Sequence, residues 1–264
     1  RALDTVARHV ARPLAAVGII EIGGLNALTP LVGAAEVGVP VVDGDLMGRA
    51  FPSIGQTTLA IAGMPPAPVT LVDPSGATVV VAEGSPARVA SLVAACVTAM
   101  GGAAVIALHP VSAGTLGDLG VVGSLTACAR LGRTYLDVLP GDSARLADAL
   151  GGILRFEGRV DDVAPREGSA PGSMTLSDDS TGATARVDHL DEFLAVTLDG
   201  ETVARAPDVV VAVNTHDHAV LHTDEVRLGQ SLSIISLPAL HEWPPEALAV
   251  VGPAGYGLEL EEIR

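Results

Sequence analysis

The chain of 264 residues is long enough for one large domain or two ordinary ones, and it is acidic, with 31 Asp and Glu against 15 basic residues. Its net charge of −16 opposes duplex nucleic acid and anionic membrane surfaces as partners. Every basic residue is Arg, which excludes a Schiff-base or Walker lysine within these residues, and one Trp, two Tyr and three Phe predict an aliphatic, closely layered core.

The chain opens at Arg1 in a helical pattern, with Leu3, Val6, His9 and Val10 on one face of a helix near 2–12. A start without Met or a hydrophobic signal reads as a processed or N-terminally truncated piece in a cytoplasmic setting. An apolar strand is expected at Val17–Ile22, then a turn at Gly23–Asn26, a helix at Ala27–Val37 and a second buried strand at Val39–Val42. Strand-like pieces follow at Leu59–Ala62, Val69–Leu71 and Thr78–Ala82, with Asp73-Pro-Ser-Gly76 turning the last two into a hairpin. Ser85-Pro86 signals a helix start, with Ser at the N-cap and Pro at the first helical position.

No Asp, Glu, Lys or Arg occurs from Val89 through Gly117, which meets the length of a membrane span. Gly101-Gly102 divides that stretch, however, so a helix to about Met100 and a buried strand at Ala103–Leu108 is the better account. Further helices are expected at Gly123–Leu136 and Ser143–Leu150. Cys96 and Cys128 fall in apolar helical patterns and read as small buried hydrophobes rather than a disulfide. Residues 1–150 thus form an α/β domain. After Gly151-Gly152 the period changes to short strands at Leu154–Val163, Ser173–Leu176, Thr184–Val187, Leu194–Leu198, Val209–Val213 and Leu232–Leu237. Residues 151–264 are therefore expected to be an all-β domain, a small sandwich or barrel.

Polar groups concentrate in Glu21-Ile-Gly-Gly-Leu-Asn26 and Asp43-Gly-Asp45-Leu-Met-Gly-Arg49-Ala-Phe-Pro52. Such groups are costly to desolvate without partners. Glu21 and Asp43 stand at expected strand ends, where ligands collect in α/β sheets, and Asp45 follows two residues on. Convergent carboxylates suit a general acid and a general base, and Arg49 suits a substrate carboxylate. Asn26, Gln56, Thr57 and Thr58 supply neutral donors and acceptors. The alternative is structural: Asp43 and Asp45 bonding their own turn, Arg49 an ion-pair partner. Spacing alone leaves both open. Gly23-Gly24 before a helix suits an anion. His216, Asp217, His218 and His222 offer an incomplete metal-ligand set, and His109 would need a partner to act as a base.

Glu21–Asn26, Asp43–Pro52 and Gln56-Thr-Thr58 together resemble the S-methyl-thiohydantoin desulfurase family. So do Gly123-Ser-Leu-Thr126, Arg227-Leu-Gly-Gln230, Leu237-Pro-Ala239, Trp243 and Ala249-Val-Val-Gly-Pro253, in order along nearly the whole chain. Members usually begin with a Thr-Gly-Gly-Gly-Gly-like loop that does not occur in this sequence, and Ser53 stands where an acidic residue often follows Phe-Pro. The resemblance implies an α/β half, an all-β half and hydrolysis of an S-methylated thiohydantoin to a hydantoin and methanethiol. On chemical grounds the expected roles are Asp43 or Asp45 as base and Glu21 as acid, the two roles being interchangeable, with Asn26, Gln56 and Thr57 holding ring amides and Arg49 a carboxylate tail. No cofactor is expected, a divalent metal on these carboxylates being the variant. The competing expectation is a non-catalytic ligand-sensing or accessory module for a hydantoinase- or oxoprolinase-type enzyme. A homo-oligomer is a further expectation.

Overall fold

A computed structural model describes residues 1–260, which form two compact units, Arg1–Thr126 and the chain from Ala127 onward. In the first unit, α1 (Ala2–Val10) places Ala2 and Val6 one turn apart, burying them against Ala107. α2 (Gly24–Val37) begins after Gly23 and ends at Gly38, whose φ of 77° is the left-handed stop that glycine makes easily. Then come β1 (Gly44–Asp45), α3 (Thr58–Ile61), β2 (Val69–Val72) and β3 (Thr78–Val81).

The β2–β3 turn is held by Asp73, whose Oδ1 accepts from the Ser75 hydroxyl at 2.7 Å and the Ala77 N–H at 2.9 Å. α4 (Pro86–Ala99) starts where the Ser85 hydroxyl accepts from the Arg88 N–H, and it buries Val89 and Val93 against Val69, Leu71 and Val81. β4 (Val105–Ala107) completes an antiparallel sheet of order β3-β2-β4. α5 (Ala113–Leu119) leads to β5 (Val121–Val122), which pairs with β1, and α6 (Ser124–Asp137) follows.

In the second unit α7 (Ser143–Ala149), capped by Asp142, buries Leu146 and Ala147 against Val213 and Ile235. The strands are β6 (Ile153–Ala164), β7 (Gly172–Ser177), β8 (Thr184–His189), β9 (Phe193–Leu198), β10 (Glu201–Arg205), β11 (Val209–Asn214), β12 (Val220–Leu221) and β13 (Ser231–Leu237). A last short helix, α8, covers Leu248–Val251. The strands form one antiparallel sheet of order β10-β9-β8-β7-β6-β13-β11-β12. Register shifts at Val160/Asp162, Asp188/His189, Thr202/Ala204 and Ile234/Ile235 bend it, and β9 packs against β11 around a core that includes Leu176, Val196, Leu232 and Ile234.

The helix-rich first part and β-rich second part agree broadly with the α/β-then-β expectation. The sandwich or barrel is corrected to a single bent sheet whose hydrogen-bonded order does not close. The strands expected at Val17–Ile22 and Val39–Val42 reduce to a single parallel bridge between Val17 and Val41. The Pro40 carbonyl accepts from Val17 and the Val17 carbonyl from Val42, each at 2.9 Å. The Gly44 N–H, which would carry the ladder on to Ile19, donates instead to the Val42 carbonyl at 3.0 Å in a tight turn. Leu59–Ala62 lies mostly in α3 rather than a strand, because the Thr57 hydroxyl accepts from the Ala60 N–H at 3.1 Å and starts a helical turn. No helix among the described residues is long and apolar enough to cross a membrane, Gly101-Gly102 separating α4 from β4. Cys96 and Cys128 form no disulfide, and both are half-buried.

Candidate functional site

Three segments distant in sequence are joined in the first unit by backbone bonds. The Leu46 N–H donates to the Ile20 carbonyl at 3.1 Å, and the Thr58 N–H donates to the Leu46 carbonyl at 2.7 Å. Leu46 follows Asp45 and Ile20 precedes Glu21, so the first bond brings those two carboxylates into one neighbourhood. Asp45 also pairs with Val121 in the β1–β5 ladder, which fixes its backbone.

A cavity of about 990 Å³ takes Glu21, Asn26, Asp43, Asp45, Ser53 and His109 into a largely apolar wall. Glu21 is only 5% exposed and Asp45 2%. The Glu21 carboxylate accepts from the Gly23 N–H and, at 2.6 Å, from the Asn26 side-chain amide. The anion expected at the Gly23-Gly24 turn is thus the side chain of Glu21 itself. Burial pushes Glu21 above the ordinary carboxylate range. The Gly23 and Asn26 bonds oppose that shift, and the charge of Asp45 adds to it.

Asp45 Oδ1 accepts from the Met47 and Gly48 N–H groups, both at 2.6 Å, which fixes the carboxylate's orientation. Asp43 is exposed; its two oxygens accept from the Thr126 N–H at 3.0 Å and the Thr126 hydroxyl at 2.6 Å. These bonds, the hydroxyl first, hold it below the ordinary Asp range.

Arg49, Gln56 and Thr57 are buried but are not part of the cavity wall. Arg49 stacks its guanidinium over Phe51, 5.3 Å from the ring centroid, and its Nε donates to the Ala50 carbonyl. Gln56 Oε1 accepts from the Ser53 N–H while the Ser53 hydroxyl accepts from the Gly55 N–H, closing the short turn before Thr57. The Thr57 hydroxyl lies 3.2 Å from His109 Nε2, the partner that the sequence could not name for this histidine.

In the second unit, His216 is exposed, and the His222 Nδ1 lies 2.8 Å from Asp224. His218 is buried: its Nε2 accepts from the Gly141 N–H and its carbonyl from the Tyr135 hydroxyl. No group of three or more His, Cys, Asp or Glu side chains that could hold a metal ion occurs among the described residues.

Two family models cover the chain: S-Me-THD-like, N-terminal domain, matches residues 1–83, and S-Me-THD-like, C-terminal domain, matches residues 85–263. The chain belongs to the S-Me-THD-like family. A crystal structure of a protein from Chromobacterium violaceum is similar to this S-Me-THD-like chain at 26% identity and a TM-score of 0.76, over 94% of this chain and 71% of that one. No curated protein matches it.

Proposed function

We propose that this protein is a hydrolase of a five-membered cyclic substrate such as an S-methyl-thiohydantoin, releasing methanethiol and leaving a hydantoin. The observation that carries the reading is the pair of buried carboxylates, Glu21 and Asp45, on one cavity wall, with Glu21 raised toward its protonated form. A carboxyl group held toward its protonated form beside a second carboxylate is suited to acid work, with the second carboxylate left to act as base. The family supplies the substrate class, since both of its matching models carry the S-Me-THD name.

In the proposed reaction, Asp45 takes a proton from water as its oxygen bonds to the ring carbon bearing the S-methyl group. Glu21 protonates the ring nitrogen, whose C=N double bond opens. In the tetrahedral adduct the new hydroxyl gives up its proton, the carbonyl forms and the C–S bond breaks with its electrons going to sulfur. The departing thiolate takes one proton, so water and substrate become hydantoin and methanethiol. Of the two aspartates considered as base, we favour Asp45, because Asp43 is tied to Thr126 and less basic than an ordinary Asp. Asn26, bonded to Glu21, orients the acid; Gln56 and Thr57 support the wall from buried positions, and Arg49 is assigned to the substrate's carboxylate tail after a side-chain movement.

Glu21→Gln removes the proton donor and keeps an oxygen for one of the Gly23 and Asn26 bonds, which fall on the two different carboxyl oxygens. A loss on the order of a hundredfold to ten-thousandfold in turnover, with the fold intact, is expected for a general acid. Unchanged turnover would sink the assignment. Ligand binding without turnover by the unaltered protein would favour the accessory-module reading instead.

A further inference from the structure

His109 is a non-glycine residue in the left-handed region, with φ of 50°, just past the end of β4. Such conformations are costly and persist only where the surroundings impose them. Here the His109 N–H donates to the Pro66 carbonyl at 2.9 Å, and the residue, 7% exposed, is among those lining the same cavity as Glu21 and Asp45.

The partners of Thr57 fix which ring nitrogen of His109 carries the proton. A hydroxyl has one hydrogen to give and two lone pairs to accept with. Thr57 Oγ1 accepts from the Ala60 N–H at 3.1 Å. It lies 3.2 Å from the Ile54 carbonyl, which accepts only, so the single hydroxyl hydrogen goes there. The contact to His109 Nε2 therefore requires Nε2 to be the donor. A neutral imidazole with its proton on Nε2 carries a bare lone pair on Nδ1, and that atom is buried with no hydrogen-bond partner among the described residues. Burial also holds the ring neutral, pushing its pKa down to about 4.

An unsatisfied buried acceptor costs free energy, and a ligand donor that pairs with it recovers that cost. We propose that His109 is a specificity-determining binding residue whose Nδ1 accepts a hydrogen bond from a ring N–H of the cyclic amide ligand. This rests on the hydrolase reading for its ligand class. Nδ1 is closed to bulk water, so the ligand reaches it through a small turn of the ring or of the adjacent wall, and water competes little for the bond.

The test uses hydantoin and its two mono-N-methyl derivatives, with calorimetry for affinity and nitrogen-15 NMR of the labelled imidazoles. In the ligand-free protein, His109 should show an unprotonated Nδ1 and a protonated Nε2; the reverse tautomer overturns the inference. Hydantoin should shift the Nδ1 resonance. Blocking one of the two nitrogens should weaken binding about tenfold, the effect of one buried hydrogen bond. His109→Leu should bind all three ligands alike, whereas His109→Asn, with an oxygen near the place of Nδ1 and tolerance for positive φ, should keep the preference. The NMR arm needs only the unaltered protein, so a failure of either variant to fold leaves the inference falsifiable. If hydantoin binds and the Nδ1 resonance stays fixed, the His109 inference falls while the hydrolase reading stands. If hydantoin does not bind at all, the His109 inference falls, and the hydrolase reading is decided separately by methanethiol release from the S-methylated substrate.

Discussion

Between neutral pH and about pH 5, acidification is expected to weaken the first unit through His109, and the raised carboxyl of Glu21 acts in the opposite direction. The folded pKa of His109, about 4, lies below the ordinary 6.5 because the buried ring resists charge. An unfolded chain would therefore take up a proton between those values that the folded one refuses. The stabilisation is fully present above about pH 6.5 and is lost as pH falls toward the folded value. At about pH 5 the ring is one and a half pH units below its ordinary value, and at about 1.4 kcal/mol per unit the loss is about 2 kcal/mol. The residue is only 7% exposed, so solvent screening removes little of this. Trp243, Tyr135 and Tyr256 all lie in the second unit, so fluorescence is blind to the change. Hydrogen exchange at the β2 amides, compared between the unaltered protein and His109→Asn at neutral pH and about pH 5, isolates it. The unaltered protein should lose about 2 kcal/mol more than the variant; equal losses would refute the reasoning.

Gly23→Ala should displace the acid, because the added methyl would sit 2.7 Å from Glu21 Oε2 and 2.9 Å from the Ala50 Cβ. Turnover should fall while the second unit keeps its thermal transition, as calorimetry and a product assay would show. Thr126→Val removes the hydroxyl bonded to Asp43, so that residue's pKa should climb back toward 3.8 in a carbon-13 NMR titration. An unmoved titration would show that the hydroxyl is not what lowers it. Leu232→Ala opens a hole among fully buried strand residues and should cost about 3 kcal/mol in denaturant unfolding followed at Trp243.

Much of this architecture was legible in the sequence wherever a local rule and the tertiary packing agreed. Ser85-Pro86 marks α4, Asp73-Pro-Ser-Gly76 marks the β2–β3 turn, and the alternation after Gly151 marks six of the eight strands of the large sheet. The failures share a cause. Val17–Ile22 and Val39–Val42 are apolar enough for strands, but the chain turns after Val42, the Gly44 N–H bonding to the Val42 carbonyl, and hydropathy does not register that turn. Leu59–Ala62 is too short for periodicity to separate helix from strand, and the Thr57 cap decides it. β10 and β12 were not foreseen: β10 follows the Asp199-Gly200 turn directly, and β12 spans only two residues.

At the site, the clustering of Glu21, Asn26, Asp43 and Asp45 followed from their positions beside glycine turns. The bonding of Asp43 to Thr126 did not, because the partners are 83 residues apart. Nor did the pairing of Thr57 with His109 across 52 residues. Asp45 holding its own turn was one of the two readings open from spacing, and the Met47 and Gly48 bonds show that this carboxylate does so while lying on the cavity wall.

The most direct measurement is incubation of the intact protein with an S-methylated thiohydantoin, following methanethiol and hydantoin together. Equal yields of both over many turnovers are expected, with the rate falling as pH rises through the raised pKa of Glu21 and the acid gives up its proton. Saturable binding of the substrate with no methanethiol released would contradict the hydrolase reading.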